Sequence, residues 1–337
     1  MSDYDIIVIG GGPAGLSAAL TLARARRSVL VLDAGRPRNA PATGVHGFLT
    51  REGIPPADLV ELGAAEVARY GGEIRSARVI GARRAGSGFA VRTADGAAFT
   101  ARRLLLASGL VDELPELPGL AQRWGRDVLH CPYCHGWEVR DQPIGVLTTG
   151  PNAIHQALLF RQWSPRVRLL LHTAPDPTDE QWEQLAARGI EVVDGEAVGL
   201  EIVDDRLAGV RLATGRMVGC TALVVQTRMI AGTEFLGELG LTTVEHPLGE
   251  QLSADRTGLT SVPGVWVAGN AGNIAANVIV AAGEGAFAAA QLNMDLVAED
   301  VRLAVERRRD PFSAATEAAN CERLLGDRRH GLTPIAT

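Results

Sequence analysis

The residues best suited to chemistry are His130-Cys131-Pro132-Tyr133-Cys134-His135. Two thiols separated by two residues can close a small disulfide ring or open to a dithiol. The thiolate is the reactive form, and a free thiol of pKa about 8.5 is only a few per cent ionised at neutral pH. A downward shift of ~2 units makes the thiolate the majority species. His130 and His135 flank the pair, placed either to supply that shift or to move protons. The same four side chains include zinc ligand types, but they are nearly contiguous and lack a distant second pair. A structural zinc is therefore disfavoured and no metal is expected. Cys220 and Cys321 have no partner in the sequence, so a disulfide framework is not expected. A single C-x-x-C in a chain without secretory features reads as redox chemistry. Cys220, at a strand edge, reads as a small apolar filler.

A redox pair needs an electron carrier held beside it, and the first thirty-three residues describe a place for one. Ile6 to Ile9 is a short apolar run, followed by Gly10, Gly11, Gly12, Pro13, Ala14 and Gly15. A helical stretch follows to about Arg27, and a second apolar run, Ser28 to Leu32, ends at Asp33 and Ala34. This is a dinucleotide-binding fingerprint. Gly10 allows the tight turn, Gly12 lets a pyrophosphate approach the backbone, and Gly15 lets the helix pack on the strand. The helix N-terminus then faces the phosphates, and Asp33 is placed to accept hydrogen bonds from an adenosine ribose.

The rest of the chain must position these two sites. Residues 35–41 form a loop rich in Pro and Gly, and a helix is expected from Pro56 to Tyr70. Between them, His46 either approaches the bound cofactor ring or is an ordinary loop histidine. Phe89 to Thr93 and Phe99 to Leu106 read as a hairpin closed by Asp95-Gly96. That second strand ends in Ala107-Ser108-Gly109, small residues that let the chain pass close to a ligand. A second strand–helix–strand pattern spans Ile144 to Leu147, Pro151 to Trp163 and Val167 to Leu171. Its turn is Thr148-Thr149-Gly150-Pro151-Asn152-Ala153, with one of three glycines kept. No acid closes its second strand and no arginine is placed for a 2′-phosphate, so NAD(P)H binding there is disfavoured. From about Met229 the chain returns to the first domain, with a buried strand at 265–268 ending in Gly269-Asn270. A long alanine-rich helix from Ile279 to about Glu299 follows, its N-terminus suited to stabilising negative charge.

The fold class is therefore α/β, with two Rossmann-like domains of three-layer ββα type, the first discontinuous. Residues 1–112 and 229–300 form the cofactor-binding domain, 113–228 a NAD(P)-like domain carrying the C-x-x-C, and 301–337 a tail for dimer or active-site contact. At 337 residues and 46% hydrophobic content the chain can bury two cores. A net charge of -6 with scattered basic residues leaves no nucleic-acid footprint. No apolar run is long enough to span a membrane, and the N-terminus does not read as a signal peptide; a cytoplasmic protein is expected.

Taken together, the fingerprint, the Cys131-Pro-Tyr-Cys134 pair between two βαβ units and the Gly269-Asn270 strand end resemble the low-molecular-weight thioredoxin reductase family over residues 5–299. The resemblance implies FAD in the first domain and a homodimer. Its cofactor motifs map onto Gly10, Gly12, Gly15, Asp33, Ser108, Gly109, Gly269 and Asn270, and Pro13, Ala14, Ala34 and His46 complete the expected cofactor residues. It also implies that Cys134 is nearer the flavin and that Cys131 exchanges with substrate; His130 and His135 are the expected catalytic residues beside them. Three departures stand out. His135 follows the second cysteine where the reductases carry an acid, Asn270 stands in place of their Asp, and Thr148-Thr149 and Thr173-Ala174 replace their NADPH contacts. These features resemble the flavin-dependent dithiol oxidases that close disulfides in natural products such as gliotoxin and holomycin. That branch implies a small-molecule dithiol substrate and O2 as electron acceptor. The competing readings are an NADPH-dependent thioredoxin reductase and a non-catalytic flavin redox sensor.

Overall fold

The computed structural model describes residues 3–232, 234–309 and 314–325. His330 and the last residues of the expected tail lie outside the described residues. Residues 1–289 form one compact unit and 290–337 a second.

Residues 4–113 hold β1 (Tyr4–Ile9), α1 (Pro13–Arg24), β2 (Val29–Asp33), α2 (Pro56–Arg69), β3 (Glu73–Ser76), β4 (Val79–Ala85), β5 (Gly88–Thr93), β6 (Ala98–Leu106) and β7 (Leu110–Glu113). Six of these strands lie in the order β3-β2-β1-β6-β5-β4. β1 pairs in parallel with both β2 and β6, while β5 is antiparallel to β4 and β6. Ile6, Ile7, Val8, Leu30, Val31, Leu104, Leu105 and Leu106 are fully buried. Such unbroken apolar runs are what strands covered on both faces require. The hairpin between β5 and β6 forms as expected, with Gly96 at φ +89 and its N–H on Thr93 O.

Residues 114–227 hold α3 (Leu120–Arg123), β8 (Val128–Leu129), α4 (Pro132–His135), β9 (Ile144–Leu147), α5 (Ala153–Phe160), β10 (Val167–Leu170), α6 (Asp179–Ala187), β11 (Glu191–Val193), β12 (Ala197–Val203), β13 (Arg206–Leu212), β14 (Met217–Gly219) and β15 (Ala222–Val225). A five-stranded parallel sheet runs β11-β10-β9-β15-β8, and β12-β13-β14 form a separate antiparallel sheet. The chain thus contains the two Rossmann-like sheets of the expected α/β class.

The chain continues through β16 (Arg228–Ala231), β17 (Thr243–His246), β18 (Gly249–Leu252), β19 (Val265–Val267), α7 (Val278–Arg309) and α8 (Ala314–Leu325). β19 joins the first sheet beside β6. β16 lies antiparallel to β7, so the chain passes from one sheet to the other and back through two adjacent strands. The proposed domain limits, near 112 and 229, fall on this pair. α7 runs ten residues past its expected end. Its charged extension is built of good helix formers, with Arg302 and Glu306 paired at 2.9 Å across one turn. No helix among the described residues is long and apolar enough to cross a membrane.

Candidate active site

The first glycine turn divides its three positions between structure and ligand. Gly10 has φ +108, and a Cβ there would lie 2.2 Å from Ala107 O at the end of β6. Only glycine tolerates both conditions. A Cβ on Gly15 would lie 1.9 Å from Gly10 O, so this residue seats α1 on the turn. A Cβ on Gly12 would meet nothing within 4 Å. The space above Gly12 is part of a cavity of about 1000 Å³ that Gly10, Gly12, Pro13, Ala14, Asp33, His46, Ser108, Gly109, Gly269 and Asn270 all line. Two of the expected cofactor residues stand outside the lining of this cavity. Gly15 is buried within α1, in the packing role expected of it, and Ala34 is exposed; neither lines the cavity, although Asp33 and Gly35 beside Ala34 do. One carboxylate oxygen of Asp33 accepts the Gly11 N–H at 3.0 Å, which fixes the acid at the turn.

Cys131, Cys134, His130 and His135 line the same cavity. Cys131 and Cys134 are joined as a disulfide, Cα to Cα 5.3 Å, with Cys131 capping the single turn of α4. The two histidines differ. His130 Nε2 accepts a hydrogen bond from Arg38 Nη2 at 2.8 Å. Burial and the neighbouring Arg38 charge lower its pKa to about 4, so the ring is neutral near pH 7. His135 is also lowered, chiefly by burial, with Glu138 opposing. Both of its ring nitrogens are buried with no hydrogen-bond partner among the described residues. Neutral imidazoles carry no charge to depress a neighbouring thiol pKa. The pair is closed as a disulfide, so this state holds no thiol for either ring to act on. His135 also lines a second cavity of about 620 Å³, with Arg123, Arg126 and Glu138.

His46 is not a free loop histidine. Its Nδ1 donates to Glu52 at 2.7 Å, and Nε2 lies 3.4 Å from Glu138, just beyond the redox pair.

A network absent from the sequence reading supports His130. Arg38 makes a bidentate pair with Asp112, at 2.6 and 2.8 Å. Thr227 Oγ1 donates to the same carboxylate at 2.8 Å. Arg38 holds the carboxyl of Asp112 below its ordinary range against the opposing effect of burial. These groups come from the loop after β2, from β7 and from the approach to β16. No local spacing could have joined them.

The pattern that defines the pyridine nucleotide-disulphide oxidoreductase family matches residues 4–285. The chain belongs to this family. Among curated relatives, thioredoxin reductase sirT of Leptosphaeria maculans is 30% identical over 321 residues, 89% of this chain and 96% of that protein. Thioredoxin reductase tcpT of Claviceps purpurea is 35% identical over 174 residues, 49% of this chain and about half (54%) of that protein. Among solved structures, HlmI matches with TM-score 0.87 at 46% identity, covering 92% of this chain and 98% of that one. The oxidoreductase from Agrobacterium tumefaciens matches with TM-score 0.83 at 36% identity, covering 88% and 99%.

Membership of the pyridine nucleotide-disulphide oxidoreductase family makes the protein a thiol–disulfide oxidoreductase of flavin type, and the first turn fits FAD. The open seat over Gly12 lies at the N-terminus of α1, where free N–H groups suit a pyrophosphate. Ser108 Oγ, on the same wall, is buried without a partner among the described residues. Asn277 and Val278, at the start of α7, also line the cavity. The family's Asp is Asn270 here, and the amide has its own task. Its Nδ2 donates to the carbonyls of Asn273, Ile274 and Ala276 at 3.1, 3.4 and 2.8 Å. A carboxylate could make none of these bonds.

Proposed function

We propose that the protein oxidises a small-molecule dithiol to its disulfide through Cys131 and Cys134, with FAD as carrier and O2 as acceptor. One observation carries this reading: the redox disulfide shares its cavity with an open dinucleotide seat over Gly12, while the matching space over Gly150 in the second turn holds the Gln226 carboxamide. In this scheme a substrate thiolate attacks Cys131 Sγ and the Cys131–Cys134 bond breaks. The second substrate thiolate then attacks its own sulfur partner, releasing Cys131 and closing the substrate disulfide. One S–S bond is lost, one is formed, and two thiol protons must be placed. His135 accepts one of them. A buried imidazole with neither nitrogen bonded costs roughly 1–3 kcal/mol, and the thiols formed on reduction offer it a partner. His130, locked by Arg38, does not titrate near neutrality. Bound FAD supplies acceptance of the dithiol's electron pair and its delivery to O2, so that dithiol plus O2 gives disulfide plus hydrogen peroxide.

We assign the acting assembly as a homodimer. On α7, Phe287, Ala290, Met294, Val297 and Val301 are exposed and recur at alternating three- and four-residue spacing. That spacing makes one continuous apolar seam suited to a second helix.

The names of the relatives favour a second reading, an NADPH-dependent thioredoxin reductase. Aerobic turnover separates the two. With a simple dithiol such as dithiothreitol and no nicotinamide, the oxidase forms one peroxide per disulfide over many cycles. Failure to turn over without NADPH would exclude the proposal.

A further inference from the structure

The turns of the two βαβ units can be compared residue by residue. Gly10 N–H donates to Leu32 O at 2.9 Å, and Thr148 N–H donates to Leu170 O at the same distance. The strand registers agree, Ile9 opposite Leu32 and Leu147 opposite Leu170. Thr148 is thus the counterpart of Gly10, Gly150 of Gly12, Ala153 of Gly15 and Leu171 of Asp33. Leu171 is 4% exposed, an apolar core residue where the first unit has its ribose-binding acid.

The seats over Gly12 and Gly150 differ most. Nothing lies within 4 Å of a Cβ on Gly12, whereas a Cβ on Gly150 would lie 2.5 Å from Gln226 Cδ and 2.6 Å from its Oε1. The carboxamide fills the space that stays open in the first unit. Its Oε1 accepts the N–H of Asn152 at 3.0 Å, at the N-terminal end of α5. The Gln226 backbone is pinned in place: its N–H donates to Thr149 Oγ1 at 3.0 Å, and that hydroxyl donates back to Gln226 O at 2.9 Å. At the far side of the turn, His172 Nδ1 accepts the Ala197 N–H at 3.0 Å, so the loop after β10 is also bound to the protein itself.

A pyrophosphate at such a turn needs room beside the glycine and unspent backbone N–H groups. Gln226 takes the room beside Gly150 and one of the N–H groups, that of Asn152. We propose that Gln226 is the specificity-determining residue that excludes pyridine nucleotides, its carboxamide oxygen standing in for a phosphate oxygen. This deepens the oxidase reading and rests on it. Sequence alone showed missing contacts at this turn; the structure shows an occupied seat.

The test is equilibrium binding of NADPH and of NADH to the FAD-loaded protein by calorimetry, for the native chain and for Gln226→Ala, Gln226→Ser and Gln226→Glu. Flavin content and melting temperature serve as folding controls. The native protein is expected to show no saturable binding. The Ala and Ser variants open the seat and should bind at least about tenfold tighter than the native limit. The Glu variant keeps the acceptor, adds negative charge and should gain nothing. Saturable binding by the native protein would sink the oxidase reading and this inference together. No gain in Ala or Ser, with native flavin content and melting temperature and a silent native protein, would overturn the role of Gln226 alone.

Discussion

Cys131 and Cys134 are proposed to divide the chemistry, and single substitutions separate their duties. Cys134→Ser leaves Cys131 as a lone thiol and removes the enzyme disulfide that the substrate thiolate must attack. Dithiol turnover should fall by at least about 10³-fold, the scale seen when one member of a covalent catalytic set is removed, and on incubation with the disulfide product mass spectrometry should find a mixed disulfide on Cys131, formed as its thiolate breaks the product S–S bond and releases one product thiol. Turnover within tenfold of native would reassign the flavin-facing thiol. The histidines make a separate pH prediction. The folded-state pKa of His130 is depressed to about 4 from an ordinary 6.5, and that of His135 is lowered too. Between these limits the unfolded chain binds more protons than the folded one. Stability is therefore fully present above about pH 6.5 and is lost as pH falls toward 4. His130→Gln, which keeps an acceptor for Arg38 without a titrating ring, should flatten the fall of melting temperature across that window. Identical pH slopes for native and variant would contradict the assignment.

The elements explain which glycines serve the fold and which serve the ligand. Gly12 has φ -75 and no neighbour near its absent Cβ, so Gly12→Ala should leave the apoprotein's melting temperature close to native. It should nonetheless lose most of its FAD, because the methyl group stands in the phosphate seat. Gly10→Ala meets a positive φ and the Ala107 carbonyl together. The backbone conformation alone costs roughly 1–3 kcal/mol, so this variant should be poorly folded. Absorbance at 450 nm and calorimetry on both variants check the contrast. The strand–turn–helix logic was readable in the sequence because it is local: apolar runs, spaced glycines and Asp33 all lie within one βαβ unit. The C-x-x-C pair was readable for the same reason. The Arg38–Asp112–His130 network and the Gln226 plug were not, since each joins residues far apart in the chain through tertiary contacts. Asn270 was read as a departure from a cofactor ligand, and only its three carbonyl partners show what the amide holds. α5 was expected over Pro151 to Trp163 and spans only Ala153–Phe160. Turns at each end, not the apolar period, set its length.

The whole molecule is proposed to act as a homodimer that draws electrons only from thiols. Met294→Asp with Val297→Asp would place two charges in the exposed apolar seam of α7, and light scattering should then report a shift from dimer toward monomer. A native protein that is already monomeric would refute the assembly. The electron path itself is tested most directly by rapid anaerobic mixing of the FAD-loaded enzyme, in parallel, with a dithiol and with NADPH. The flavin absorbance should bleach quickly with the dithiol and stay unchanged with NADPH. Rapid bleaching by NADPH, or none with the dithiol, would contradict the account.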